Sequence, residues 1–149
     1  MSLQNKVIAV LIVVVAGYYG LQQRDQRSLQ IPDSTTHTSA DVQITKAFQQ
    51  RANDLPVKAG GEVIRLLSDD LEGSRHQRFI VRLSSGHTLM IAHNIDLAPR
   101  LNSLDTGDSI EFSGVYEWND RGGVVHWTHH DPQGRRAGGW IKHRGKKYR

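Results

Sequence analysis

Residues 75–83 alternate between two faces: Phe79, Val81 and Leu83 fall on one, and His76, Arg78, Ile80 and Arg82 on the other. A period of two belongs to a strand with one face on a core, not to a helix. Residues 109–118 repeat the pattern, with Ile110, Phe112, Tyr116 and Trp118 sharing a face and Gly114 among them. From residue 60 onward such segments are separated by Gly-, Ser- and Asp-rich turns at 68–74, 84–86, 105–108 and 120–123. The strands are expected at 61–67, 75–83, 87–92, 109–118 and 124–129, with a helical turn at 95–101 between the third and fourth. That order predicts a mainly β fold, a small five-stranded OB-like barrel around a single core. Gly114 in mid-strand is expected to mark the bend or bulge that closure of a small barrel needs. An SH3-like barrel and an open β-roll use similar strands. Residues 139–143 and 146–148 flank Arg144-Gly145 and predict a C-terminal hairpin closing one end of the barrel.

The chain ahead of the barrel divides in three. Residues 7–21 are apolar on all sides and follow Lys6, the order of an export signal or anchor. Fifteen helical residues span about 22 Å, short of a hydrocarbon core of about 30 Å. Lys6 and Arg24 snorkelling outward, with Tyr18 and Tyr19 as interfacial aromatics, would close the gap. No A-x-A cleavage site follows. The expectation is a single transmembrane helix within 1–23 that makes the membrane a partner. The chain would then be a single-pass inner-membrane protein with its domain in a bacterial periplasm. Cleavage of the segment as a signal, giving a secreted or periplasmic product, is the alternative. Residues 24–40 are polar, with Pro32 and a Ser/Thr run, and read as a tether. The domain is taken as 41–149. It begins with a short helix capped by Asp41, with Ile44, Phe48, Ala52 and Leu55 near one stripe, ending before Pro56.

The absence of cysteine from all 149 residues excludes disulfides, thiol catalysis and thiolate zinc sites. Neither G-x-S-x-G, nor H-E-x-x-H, nor a phosphate-cradling Gly-rich loop with Lys-Ser/Thr is present. Residues 135–149 hold seven Lys and Arg and no acidic residue. A basic end of this kind attracts polyanions such as nucleic acid or an acidic glycan, or simply solubilises the chain. On the second strand His76, Arg78 and Arg82 point one way, towards the face that OB barrels use for ligands. Trp118, Trp127 and Trp140 are the aromatic candidates for stacking, their spacing placing them at the loops of one barrel end, with Trp127 and Trp140 taken as ligand-binding residues.

Seven of the eight histidines lie in the barrel region, at 76, 87, 93, 126, 129, 130 and 143. Strand alternation would put Val124, His126, Thr128 and His130 on one face and Val125, Trp127 and His129 on the other. His126 and His130 would then stand about 13 Å apart on a straight strand, too far to share a metal. A divalent metal such as zinc would need His93 and Asp131 beside His130. The same His93 and His130 are the candidate acid–base pair for metal-assisted or histidine-based phosphodiester hydrolysis, with Arg78 or Arg82 meeting the phosphoryl charge. Imidazoles that hydrogen-bond backbone carbonyls and hold loops are the competing account, and they require no cofactor.

Several runs carry a resemblance: Arg75-His76-Gln77, Ala92-His93-Asn94-Ile95-Asp96-Leu97-Ala98-Pro99, Gly107-Asp108, Gly114-Val115-Tyr116-Glu117-Trp118-Asn119 and Gly139-Trp140-Ile141. The most distinctive are His126-Trp127-Thr128-His129-His130-Asp131-Pro132 and the closing Lys146-Lys147-Tyr148. Residues 60–148 resemble an uncharacterised family of small exported bacterial proteins, a domain of unknown function. The resemblance implies one compact exported domain and supplies no activity. The sequence thus leaves three readings of function: an exported OB-like module binding an anionic partner, a phosphodiester hydrolase, or a purely structural envelope protein.

Overall fold

The computed structural model describes residues 34–149. One helix, α1 (Ser34–Gln50), precedes seven strands: β1 (Leu55–Leu66), β2 (His76–Arg82), β3 (Thr88–Asn94), β4 (Ser109–Glu117), β5 (Val124–His126), β6 (Trp140–His143) and β7 (Lys146–Tyr148). β1 pairs antiparallel with β2 and β4, β2 with β3, and β4 with β5, while β3 and β5 pair in parallel. This circuit closes a five-stranded barrel in the OB-like order expected from the strand pattern. β1 serves two neighbours: Leu55 to Glu62 face β4, and Glu62 to Leu66 face β2. The bulge that lets it turn between them lies in β1, between Val63 and Arg65. β4 keeps continuous register through Gly114. Gly114 serves closure differently, because a Cβ there would collide with the carbonyl oxygen of His126 on β5.

The free edge of β4 is divided between two partners. Val115–Glu117 pair with β5, and Ile110–Ser113 with β6. β6 and β7 form the expected hairpin, extending the sheet beyond the barrel. The segment entering β6 must pass close to the end of β5. Gly139 makes this possible, since a Cβ there would run into the carbonyl oxygens of Trp127 and Ser113.

The alternation read from the sequence is the packing observed. Phe79, Val81 and Leu83 are buried, as are Ile110, Phe112 and Tyr116, with Leu89 and Ile91 from β3, Val125 from β5 and Ile141 from β6. The expected helical turn at 95–101 is a single turn, closed by the Ala98 amide on the Asn94 carbonyl, and the segment that follows contributes Leu101 and Leu104 to the core.

The helix differs from expectation at both ends. α1 begins at Ser34, inside the segment read as tether. Asp41 is therefore mid-helix. It is buried, and its Oδ2 accepts hydrogen bonds from the Ser84 hydroxyl and the Ser85 amide, pinning the helix to the β2–β3 turn. Ile44 and Ala47 enter the core, and Phe48 packs against the His87 ring at 5.1 Å. The helix stops at Gln50 because Arg51 adopts φ 54° and the Ala52 amide reaches back to the Ala47 carbonyl, a C-terminal cap well before Pro56. Leu55 belongs to β1.

Among the described residues, no helix is long and apolar enough to cross a membrane. No described helix supplies the expected transmembrane helix, so the membrane as partner and the single-pass inner-membrane location find no support there. The apolar run 7–21, which carried that reading, lies outside the described residues, as does the tether before Ser34.

Candidate functional site

His93 sits on β3 with its side chain wholly inside the barrel. Its Nε2 lies 3.2 Å from the Pro99 carbonyl and its Nδ1 2.8 Å from Thr128 Oγ1. A carbonyl only accepts, so Nε2 carries the proton and Nδ1 accepts from the threonine hydroxyl. Burial lowers its pKa from 6.5 to about 4, against the opposing pull of the Pro99 carbonyl. Both nitrogens are engaged, and neither is open to a substrate.

The run after β5 departs from strand alternation at one residue. Trp127 has φ 58°, a left-handed backbone that is unfavourable for a bulky side chain. The chain reverses there, so Thr128 and His129 are both buried and His130 is exposed. The expected common face of His126, Thr128 and His130 does not form. His129 Nδ1–H donates to the His130 carbonyl at 2.6 Å. Asp131 accepts the backbone amides of Gln133, Arg135 and Arg136 at 2.6–2.9 Å and organises the loop into β6. These bonds, that from Gln133 foremost, hold its carboxyl below the usual range. Among the described residues, no three His, Asp or Glu side chains are grouped to hold a metal, so His93, His130 and Asp131 do not make the set that zinc would need.

The cationic face is likewise divided. Arg78 donates to the Ser68 carbonyl at 3.1 and 3.2 Å and lies 3.7 Å from Asp70. Arg82 pairs with Glu62 at 2.9 Å. Arg78 lines a groove of about 750 Å³ between the β1–β2 and β4–β5 loops, whereas Arg82 lines a cleft of about 910 Å³ beside β6 and its turn into β7. His76 is half-buried and its backbone bridges to Asp70. The arginines thus serve different surfaces.

Each tryptophan carries a cation over its ring. Arg51 lies 5.1 Å from Trp118, Arg136 lies 5.8 Å from Trp127, and Lys147 and Lys58 lie 4.5 and 5.8 Å from Trp140. Trp127 also stacks on His129 at 4.8 Å. Most of the basic C-terminal residues are similarly occupied. Lys142 pairs with Glu111 at 2.8 Å, Arg144 with Asp108 at 3.1 Å and Arg136 with Asp54 at 3.4 Å, while Lys146 covers Tyr148. The expectation of a polyanion partner, nucleic acid or acidic glycan, is corrected on this ground. Five of the seven basic residues at 135–149 are engaged within the domain, as are Arg78 and Arg82, and among the described residues no metal-binding cluster supports it.

Sequence reasoning missed the buried polar clips. Gln77 is buried and its amide binds the Leu101 backbone twice, accepting from its N–H at 2.9 Å and donating to its C=O at 3.0 Å. His143, also buried, donates Nε2–H to Asp108 at 2.8 Å, and Asp108 further accepts the Asp105 amide. The Asp105 amide, then Arg144 and His143, hold the Asp108 carboxyl down to about 2. His87 Nε2–H and the Tyr116 hydroxyl both donate to the Gly122 carbonyl. A polar Gln77 among the inward-facing positions of β2 was the available signal. The groove under Arg78 was missed too, although Ile80 on an otherwise charged face hints at its apolar floor.

No curated protein matches the chain. A family model matches it over residues 28–149, which include the whole barrel and its helix, and the chain accordingly belongs to the family described as "Protein of unknown function (DUF3465)".

Proposed function

We propose that this domain is a non-catalytic structural module, an OB-like barrel whose histidines and charged side chains serve its own architecture. The observation that carries this reading is the engagement of His93: it is buried at the heart of the expected catalytic cluster, and both its nitrogens are bonded to the fold. Gln77, Asp131 and His143 support it in the same way, each tying a loop or hairpin to the barrel. A hydrolase would want an imidazole nitrogen at a surface where a phosphoryl group could reach it, and His93 offers none.

The test compares the full chain with His93→Gln and His130→Ala. The structural reading predicts a lowered urea midpoint for His93→Gln, an unchanged one for His130→Ala, and no turnover of a chromogenic phosphodiester by any of the three, with or without added zinc. Turnover by the unmodified chain that either substitution abolishes would overturn it.

A further inference from the structure

We propose that the groove between the β1–β2 and β4–β5 loops is a self-association site, filled by the β1–β2 loop of a second copy of this chain. The inference goes beyond the structural reading above and does not depend on it.

The groove has an apolar floor of Leu67, Ile80 and Met90, and on its rim stand two cations, Arg65 and Arg121, against one carboxylate, Asp120. Among the described residues neither guanidinium has a side-chain partner, in contrast to Arg78 beside them, which is bonded to Ser68. The groove therefore fits a segment that presents a large apolar side chain next to a carboxylate. The β1–β2 loop presents such a pair at its tip. Leu71 is the most exposed large hydrophobic residue described, at 68%, with Leu66 at the root of the same loop also exposed at 44%. Of the acidic residues in that loop, Asp69 pairs with Arg100 and Asp70 with Arg78. Glu72, beside Leu71, has no side-chain partner among the described residues.

Geometry makes the match reciprocal. The loop that carries Leu71 and Glu72 at its tip also provides Leu67 to the floor and Ser68 to the wall of its own groove. Knob and hole are thus neighbours on one surface, the arrangement a two-fold interface requires: each copy inserts Leu71 over the other's floor while Glu72 meets the other's Arg121. Leu71 does not fill its own groove: it stands 68% exposed on a loop shaped by the Asp70–His76 bridge.

Sedimentation velocity of the full chain over a concentration series tests this, with four variants: Leu71→Asp, Glu72→Arg, Arg121→Glu and the double variant Glu72→Arg/Arg121→Glu. The expected result is a concentration-dependent dimer, weakened about tenfold or more by Leu71→Asp. Each single charge reversal weakens it as well, and the double variant restores it. All three positions are exposed, so an unchanged urea midpoint confirms that each variant folds. A monomer at every concentration, an oligomer indifferent to Leu71→Asp, or a double variant no better than its singles would each overturn the proposal.

Discussion

Between pH 6.5 and 4, acidification should destabilise this domain through His93. In the folded chain its pKa lies at about 4, and in the unfolded chain it returns to the ordinary 6.5. The unfolded state therefore takes up the proton first. Above pH 6.5 both states hold a neutral imidazole and the stability is complete. As pH falls from 6.5 towards 4, protonation of the unfolded chain draws the equilibrium away from the fold, and below 4 the loss levels off. The gap corresponds to about 3 kcal/mol at roughly 1.4 kcal/mol per pH unit. For a domain whose total stability is on the order of 5–15 kcal/mol, that is a large fraction. The physical source is desolvation: a second proton would put a full charge among the core side chains around Thr128 and Pro99. Urea unfolding of the full chain at half-unit steps from pH 7.5 to 4 measures it. His93→Gln is the control, because an amide can still donate to Pro99 and accept from Thr128 but does not titrate. The variant is expected to start lower, by about 1–3 kcal/mol at pH 7.5, and to fall less steeply. The difference between the two proteins should shift by about 3 kcal/mol in the variant's favour across the window, closing or reversing the initial gap. A difference that stays constant from pH 7.5 to 4 would refute the assignment of His93 as a buried neutral imidazole.

Gln77→Leu leaves both Leu101 backbone groups unbonded in the core and is expected to cost about 2 kcal/mol or more, read as a lower urea midpoint. Gly139→Ala drives a methyl group into the Trp127 and Ser113 carbonyls and should cost about 3 kcal/mol, with faster amide exchange in β6. Asp108 acts at a lower pH than His93. Its carboxyl is held down to about 2, so its contribution is present above 3.8 and disappears as pH falls from 3.8 towards 2. Asp108→Asn removes that loss and speeds amide exchange at 140–148, whereas unchanged exchange there would show that the His143 and Arg144 contacts do not hold the hairpin.

The periodic part of this protein was legible in its sequence. A strand buried on one face must alternate, so Phe79, Val81 and Leu83, and Ile110, Phe112 and Tyr116, announced their core positions without any tertiary information. Strand order then pointed to a five-stranded barrel, and Arg144-Gly145 to the last hairpin. Boundaries governed by a single residue's backbone were not legible. Arg51 ends the helix and Trp127 ends β5 in left-handed conformations that neither residue type favours, so local propensity pointed the other way. The Trp127 reversal is also why alternation failed for the histidines: beyond it, Thr128 and His129 both turn inward.

The chemistry of the polar residues was decided by the tertiary structure alone. The sequence places His93, His130 and Asp131 among plausible ligands, but whether an imidazole is a base or a strut depends on what lies within about 3 Å of its nitrogens. The partners of His93 are Pro99, six positions on, and Thr128, thirty-five positions on. Asp41 shows the same thing, read locally as a helix cap yet bonded to Ser84 and Ser85 across the barrel end. Hydrophobic patterning is a property of the chain's own period, whereas a hydrogen bond between distant side chains exists only once the barrel has closed and brought them together.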